Sequence, residues 1–448
     1  MTSRAPSSVD LPAAAARAAV LDPVPSRAGM SDGLALALSS VLGSLAGFVS
    51  WLIAARLMTT AEVGDAQLVV SALILVGGAA QLNLDVGIMR WIPQAGGSTG
   101  RLVWRSLLVI MPLSALIGLV YALVAPRIAD VTAGPGAPFA LGLLLFVLAC
   151  AGWGVFAVHD SILVSLHRPW WAVWRNGLFA VARITLLVVL GGVAGLGAFG
   201  IVLSWVGPIV VWVGVGSLVI AGLTRRAAGH AGVLPRRAEV VGFLGPTAVG
   251  HLGAALLFNQ VPLLVNLRFG PETGAVFFIA WQAVMVVDLA ATYFMAPLAA
   301  GVAREPHRTA ELAAAARRRL LLLFLPALAL GAALAHPLLL IFGGAYAQAD
   351  DVLRLLLLGL AFRLVVVHEL GVRQAVGKAI GFARLQLVST LLVLVAAAVT
   401  PVGGGGVPAL LPVAIGYVVV QVLCVAAVVV PSLFSPARRR ADAEVLAP

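Results

Sequence analysis

Twelve apolar runs, each about twenty residues long, constrain this chain more than any other feature. They fall near 34–55, 66–89, 102–125, 138–158, 172–193, 199–223, 241–265, 275–300, 320–342, 352–371, 382–400 and 408–430. A run of that length crosses the hydrocarbon core of a bilayer as an α-helix, whereas barrel strands read as shorter alternating segments. Composition points the same way. The chain is 61% hydrophobic and 10% charged, against about 45–50% and about 25% in a soluble domain. The sequence therefore predicts an all-α polytopic membrane protein with about 12 transmembrane helices. The short connections leave no room for a soluble catalytic domain, and no G-x-x-x-x-G-K-[ST] loop is present. A transporter is expected rather than an enzyme. Gly195 to Gly200 matches G-x-G-x-x-G, but it lies between two spans and follows no strand, so it is not read as a dinucleotide site.

The net charge of +11 suggests nucleic acid in a soluble protein. Here it reads as topology. The tails and the even-numbered connections hold 23 of the 29 Lys and Arg residues, and the other side holds Arg56, Arg127, Arg268 and Arg354. Basic residues collect in cytoplasmic loops, so both termini are expected in the cytoplasm of a bacterium, with no nucleic-acid partner. Arg183 and Arg363 fall inside spans and escape this explanation. Cys150 and Cys424 also lie inside apolar runs and read as buried thiols, without a disulfide or a metal site. The first thirty residues lack the apolar core of a signal peptide.

The chain also repeats itself. Arg56 to Gly64 (RLMTTAEVG) closes the first span, and Arg268 to Gly274 (RFGPETG) closes the seventh. Asp85 followed by Pro93 answers to Asp288 followed by Pro297. Arg105 to Pro112 answers to Arg319 to Pro326, Pro126 to Pro337, and the basic turn at Arg168 to the one at Lys378. Six spans per copy give both copies one orientation: two parallel six-helix repeats related by an axis along the membrane normal. The expected units are a disordered cytoplasmic tail over 1–30, a lobe over 31–223, a basic loop over 224–239, a second lobe over 240–431 and a tail over 432–448. Such lobes hold a substrate between them near the midplane and rock to alternate access.

The Arg-x-Met-x-x-x-Glu-Val-Gly turn after the first span, the Asp85 to Pro93 stretch and the span–Gly-rich turn–span endings resemble the polysaccharide transporter family. These are lipid-linked oligosaccharide flippases of the multidrug/oligosaccharidyl-lipid/polysaccharide exporter superfamily. The resemblance covers about residues 30–430. It implies a flippase moving undecaprenyl-diphosphate-linked glycan units across the cytoplasmic membrane, with membrane lipids and glycan polymerase or assembly proteins as partners. Multidrug antiporters and lipid II flippases share the lobes. A membrane glycosyltransferase or polymerase leaves the duplication unexplained.

Ionisable groups at bilayer depth are costly and face a cavity or a partner. A diphosphate calls for fixed cations, and arginine binds it bidentately. Arg363 and Arg183 meet that demand, with Arg56 and Arg268 at matched outer ends as exit residues. For Arg363 the competing reading is an ion pair with a carboxylate such as Asp288. His251, Asn259 and Asn266, spaced by eight and seven, share a stripe that reads as a polar cavity wall or as interhelical hydrogen bonding. Asp288, with Asp85 as its expected repeat mate, is the candidate carrier of a coupling proton or Na⁺. No other cofactor is expected.

Overall fold

The computed structural model describes residues 43, 45–226 and 232–433. The expected tail over 1–30 and nearly all of that over 432–448 lie outside the described residues. The described chain is helical throughout and holds two lobes of six spans.

In the first lobe the spans are α1 (Leu45–Leu57), α2 (Thr60–Gln81) with α3 (Leu84–Ala95), α4 (Thr99–Val124), α6 (Phe139–Ser165), α7 (Pro169–Leu186) and α8 (Gly197–Arg226). A short α5 (Pro126–Ala133) lies between α4 and α6. In the second lobe α9 (Arg237–Ala255) runs through a π-helical turn, Leu256–Gln260, into α10 (Val261–Phe269). Then follow α11 (Pro271–Arg304), α12 (Thr309–Ala333), the short α13 (Ala335–Leu340) and α14 (Gly344–Ala347). The lobe ends with α15 (Asp350–Ala375), α16 (Ala379–Val399) and α17 (Leu411–Leu433).

The duplication holds at the level of helix starts. Thr60 and Pro271, Thr99 and Thr309, Phe139 and Asp350, and Pro169 and Ala379 open matched spans, an offset of about 210 residues throughout. Local chemistry sets these starts. Thr59 and Glu62 form a reciprocal capping box on α2. Its counterpart α11 begins with Pro271 in the first turn, after Gly270 at φ 86°.

The copies differ inside the second span. Leu82 and Asn83 take left-handed backbone, with φ of 49° and 61°, and divide α2 from α3. α11 runs unbroken for 34 residues. The offset therefore sets Asp288 level with the Gly77–Gly78 pair, while the expected mate Asp85 sits in the first turn of α3 beyond the break.

The lobes meet most closely on the face opposite the basic one. An added Cβ on Gly64 would stand 1.9 Å from the Pro271 carbonyl oxygen, so α2 and α11 touch backbone to backbone. Trp51 packs edge-on against Phe278 at 4.8 Å, and Phe48 against Phe342 at 5.4 Å. Toward the basic face α11 leaves Val286, Leu289 and Tyr293 exposed. There the lobes meet mainly through α3 and α9: Trp91 packs edge-on against Phe243 and Arg90 lies over the same ring at 4.5 Å.

Candidate functional site

Three buried charged centres occupy the spans, one in the second lobe and two in the first, and they are built differently.

In the second lobe Arg363, near the middle of α15, meets Asp288, near the middle of α11. The contact is bidentate: Nε donates to Oδ1 at 2.6 Å and Nη2 to Oδ2 at 3.3 Å. Arg363 is 3% exposed and Asp288 9%. The remaining nitrogen, Nη1, has no hydrogen-bond partner. Tyr417, Gln421 and Cys424 of α17 are buried, and their spacing of four and three places them on one face. The Tyr417 ring lies against Gly359, one turn before Arg363, where an added Cβ would come within 2.5 Å of it. The Tyr417 hydroxyl and both polar atoms of Gln421 are also unpartnered. Arg363 and Asp288, expected to meet phosphate and to carry an ion, thus hold each other in a charge-neutral pair.

In the first lobe Arg183, in the last turn of α7, is 4% exposed. Among the described residues no carboxylate pairs with it. Its guanidinium lies 4.3 Å from the Trp205 ring centroid and 5.6 Å from that of Phe179, and Nε has no partner. Cation–π contact partly replaces the missing counter-charge. Trp205 neighbours Trp51 and Trp153, and Trp51 is the ring that reaches Phe278 of the other lobe. The unpaired cation therefore sits two rings from the seam between lobes.

About two turns before Arg183 lies a network that the sequence reading missed. Arg175 pairs with Asp160 at 2.7 Å, donates to the Phe156 carbonyl at 2.9 Å and lies 4.0 Å over the Phe156 ring. Asn176 donates to the other oxygen of Asp160 at 2.8 Å. His159 is fully buried beside Gly216. Read from sequence, His159, Asp160 and Arg175 belong to a solvated helix end. The tight turn at Leu166 to Arg168 instead folds α7 back along α6 and buries them together. A carboxylate fifteen residues before an arginine, across a helix hairpin, was the available signal.

The expected stripe of His251, Asn259 and Asn266 is split. The π-helical turn at Leu256–Gln260 inserts extra residue into the winding and rotates everything after it. His251 is exposed and bonds the Thr247 carbonyl at 2.8 Å. Asn259 donates to Ala255 within its own helix. Asn266 reaches across the seam and donates to the Gly64 carbonyl at 2.7 Å and to Gln67 Oε1 at 3.3 Å. Tyr121 and Gln260 bridge the seam as well.

Arg56 and Arg268 are not equivalent in their surroundings. Arg56 donates to the carbonyls of Ile341 and Leu340, tying α1 to the second lobe. Arg268 donates to the Ala397 carbonyl at the end of α16, inside its own lobe. Asp85, half-buried at the start of α3, has no ion-pair partner among the described residues.

Comparison with solved structures gives the class of fold. A lipid II flippase MurJ in an inward closed conformation superposes with a TM-score of 0.63 at 14% identity, over 89% of this chain and 87% of that one. An inward-facing multidrug resistance MATE family transporter gives 0.56 at 16% identity, over 87% and 92%. A superfamily transporter from Pyrococcus furiosus, described as having a binding pocket of reversed polarity, gives 0.52 at 18%. No protein-family model matches the sequence, and no curated protein sequence matches it. The chain has the two-lobed fold of the multidrug/oligosaccharidyl-lipid/polysaccharide superfamily transporters.

Proposed function

We propose that this chain is a flippase for undecaprenyl-diphosphate-linked oligosaccharide units, working by ion-coupled alternating access in a bacterial cytoplasmic membrane with both termini inside. The observation that carries the reading is Arg183, a buried guanidinium with no carboxylate partner among the described residues, on an aromatic platform next to the lobe seam. Such a group attracts an anion that can bring its own charge into the membrane, and a diphosphate suits its planar donors. The prenyl tail stays in lipid while the lobes rock around the headgroup.

The ion pair of the second lobe supplies a route to coupling. A proton taken up by Asp288 neutralises the carboxylate and releases Arg363, which then turns its donors to the diphosphate. When the diphosphate leaves, Arg363 recaptures Asp288 and the proton departs. Asp288 and Arg363 thus serve one exchange, and the neutral pair is its resting state.

An antiporter of cationic drugs is the competing reading, favoured by the aromatic cluster around Trp205. The charge on Arg183 opposes it, since that cluster would have to hold two cations. The test is translocation of a labelled undecaprenyl-diphosphate glycan in reconstituted vesicles. Arg183→Ala should abolish translocation, and Arg183→Lys should retain part of it. Full activity in Arg183→Ala, or drug efflux without lipid translocation by the wild type, refutes the flippase reading.

A further inference from the structure

A large groove lies away from the buried charged centres, between the two lobes near the basic face. Its volume is about 920 Å³. One wall is α3 and α4 of the first lobe, with Leu84, Trp91 and Leu102; the other is α9 of the second, with Val240, Val241 and Leu244. The lining is overwhelmingly apolar. Two arginines interrupt it: Arg105 on the α4 wall and Arg237 at the first residue of α9. Both are exposed, and neither has a carboxylate partner among the described residues. Gly245 faces open space in the groove, since an added Cβ there meets nothing within 4 Å.

We propose that this groove is a binding site for one anionic glycerophospholipid of the adjoining leaflet, with its acyl chains between α4 and α9 and its phosphate between Arg105 and Arg237. Charge complementarity selects the occupant. Hydrocarbon fills the apolar walls in any bilayer, but two unpaired guanidiniums at the mouth favour a headgroup with net negative charge. A zwitterionic lipid brings its own ammonium against them. Because the walls belong to different lobes, the lipid bridges the seam on the side where direct contact is thinner. The site does not depend on the cargo proposed above.

The test is lipid retention by the full chain. Protein reconstituted in vesicles of phosphatidylglycerol and phosphatidylcholine, then extracted in mild detergent, is weighed intact with its bound lipid. The expected preference for phosphatidylglycerol is about thirtyfold, the figure for two cations near a membrane surface. Replacing both cations (Arg105→Gln with Arg237→Gln) should remove the preference. Gly245→Phe should remove retention while leaving both charges in place. The thermal unfolding transition of each variant reports whether it is folded. Arg183→Ala should keep wild-type retention, which separates this site from the proposed cargo site. Equal retention of the two lipids by wild type, or wild-type retention by a folded Gly245→Phe variant, overturns the proposal. So does displacement of phosphatidylglycerol by equimolar undecaprenyl phosphate, which would give the groove to a prenyl tail.

Discussion

Replacing Asp288 by Asn tests the charge pair of the second lobe directly. The substitution keeps the shape and one hydrogen-bond acceptor for Arg363, but removes the only counter-charge within 4 Å of it among the described residues. Arg363 is 3% exposed and its Nη1 is already unpartnered. Snorkelling to water is blocked, because more than three turns of α15 separate it from either helix end. Breaking a buried pair by removing one partner costs about 3–5 kcal/mol. The retained acceptor puts Asp288→Asn at about 3 kcal/mol, and Asp288→Leu near the upper figure. Arg363→Met leaves the carboxylate uncompensated and should cost a similar amount. The double variant Asp288→Leu with Arg363→Met removes both charges and should return to within about 1 kcal/mol of wild type, since well-packed apolar replacements of a buried pair are often neutral. Equilibrium unfolding in mixed micelles, followed by tryptophan fluorescence, measures all four proteins; Trp281 lies two turns from Asp288. If the single losses and the double loss add within about 0.5 kcal/mol, the two groups are not coupled and the reasoning fails. Translocation supplies a second readout. On the proposed exchange mechanism, Asp288→Asn resembles the protonated state and should run without dependence on an ion gradient. An unchanged dependence would leave the pair as architecture only.

Three further perturbations have outcomes set by the same physics. Gly64→Ala places a methyl 1.9 Å from the Pro271 carbonyl oxygen; overpacking of this kind costs about 1–3 kcal/mol, and a cysteine at position 67 should become labelled from the face opposite the basic one. If labelling stays at background, α2 and α11 do not seal that face. Asp160→Asn strands Arg175, which is 3% exposed. The expected loss is about 2–3 kcal/mol, below the fully buried figure because the Asp160 side chain keeps 29% of its exposure. A thermal transition unchanged from wild type contradicts that burial. Glu369→Gln removes the 2.8 Å pair with Arg373, but both side chains are more than a quarter exposed, so stability should change by no more than about 0.5 kcal/mol; a larger loss would show that the pair is shielded from water.

Much of the architecture is legible in the chain because its signals are local or repeated. Twenty-residue apolar runs locate the spans, and punctuation such as Gly270-Pro271 and Arg168-Pro169 locates their starts. The Glu369–Arg373 pair follows from four-residue spacing on one helix. The alternative partner named for Arg363, Asp288, is also its partner in the fold. What could not be read is where helices depart from ideal winding. The break at Leu82–Asn83 puts left-handed backbone on Leu82, which seldom adopts it, next to Asn83, without a glycine to mark it. The π-helical turn at Leu256–Gln260 has no sequence signature, yet it decides that Asn266 faces Gly64 and His251 faces outward. Burial of Arg175 depends on how α7 folds against α6, which spacing within either helix does not report.

The two lobes repeat their backbone without repeating their charges, and this bears on how such a molecule divides its work. At an offset of about 210 residues, Arg363 falls level with the Gly152–Trp153 step, Asp288 with Gly77–Gly78, and Arg183 with Val393. Where the second lobe carries its arginine, the first carries a tryptophan that packs against Trp205, the platform beneath Arg183. The second lobe therefore holds a midspan cation and anion that cancel within hydrogen-bonding distance, while the first, besides its Arg175–Asp160 pair, holds Arg183 balanced by ring faces alone. A cancelled pair changes state by gaining a proton or losing a contact; an uncancelled cation changes state by gaining an anion. Were the lobes equivalent, each would have to do both. On the proposed reading the first lobe binds the diphosphate, and the second responds to the gradient and lends its arginine when the pair opens. Moving the pair across, with Trp153→Arg and Gly77→Asp, should leave binding weakened and coupling unrestored, because Arg183 would then have an internal carboxylate to compete for.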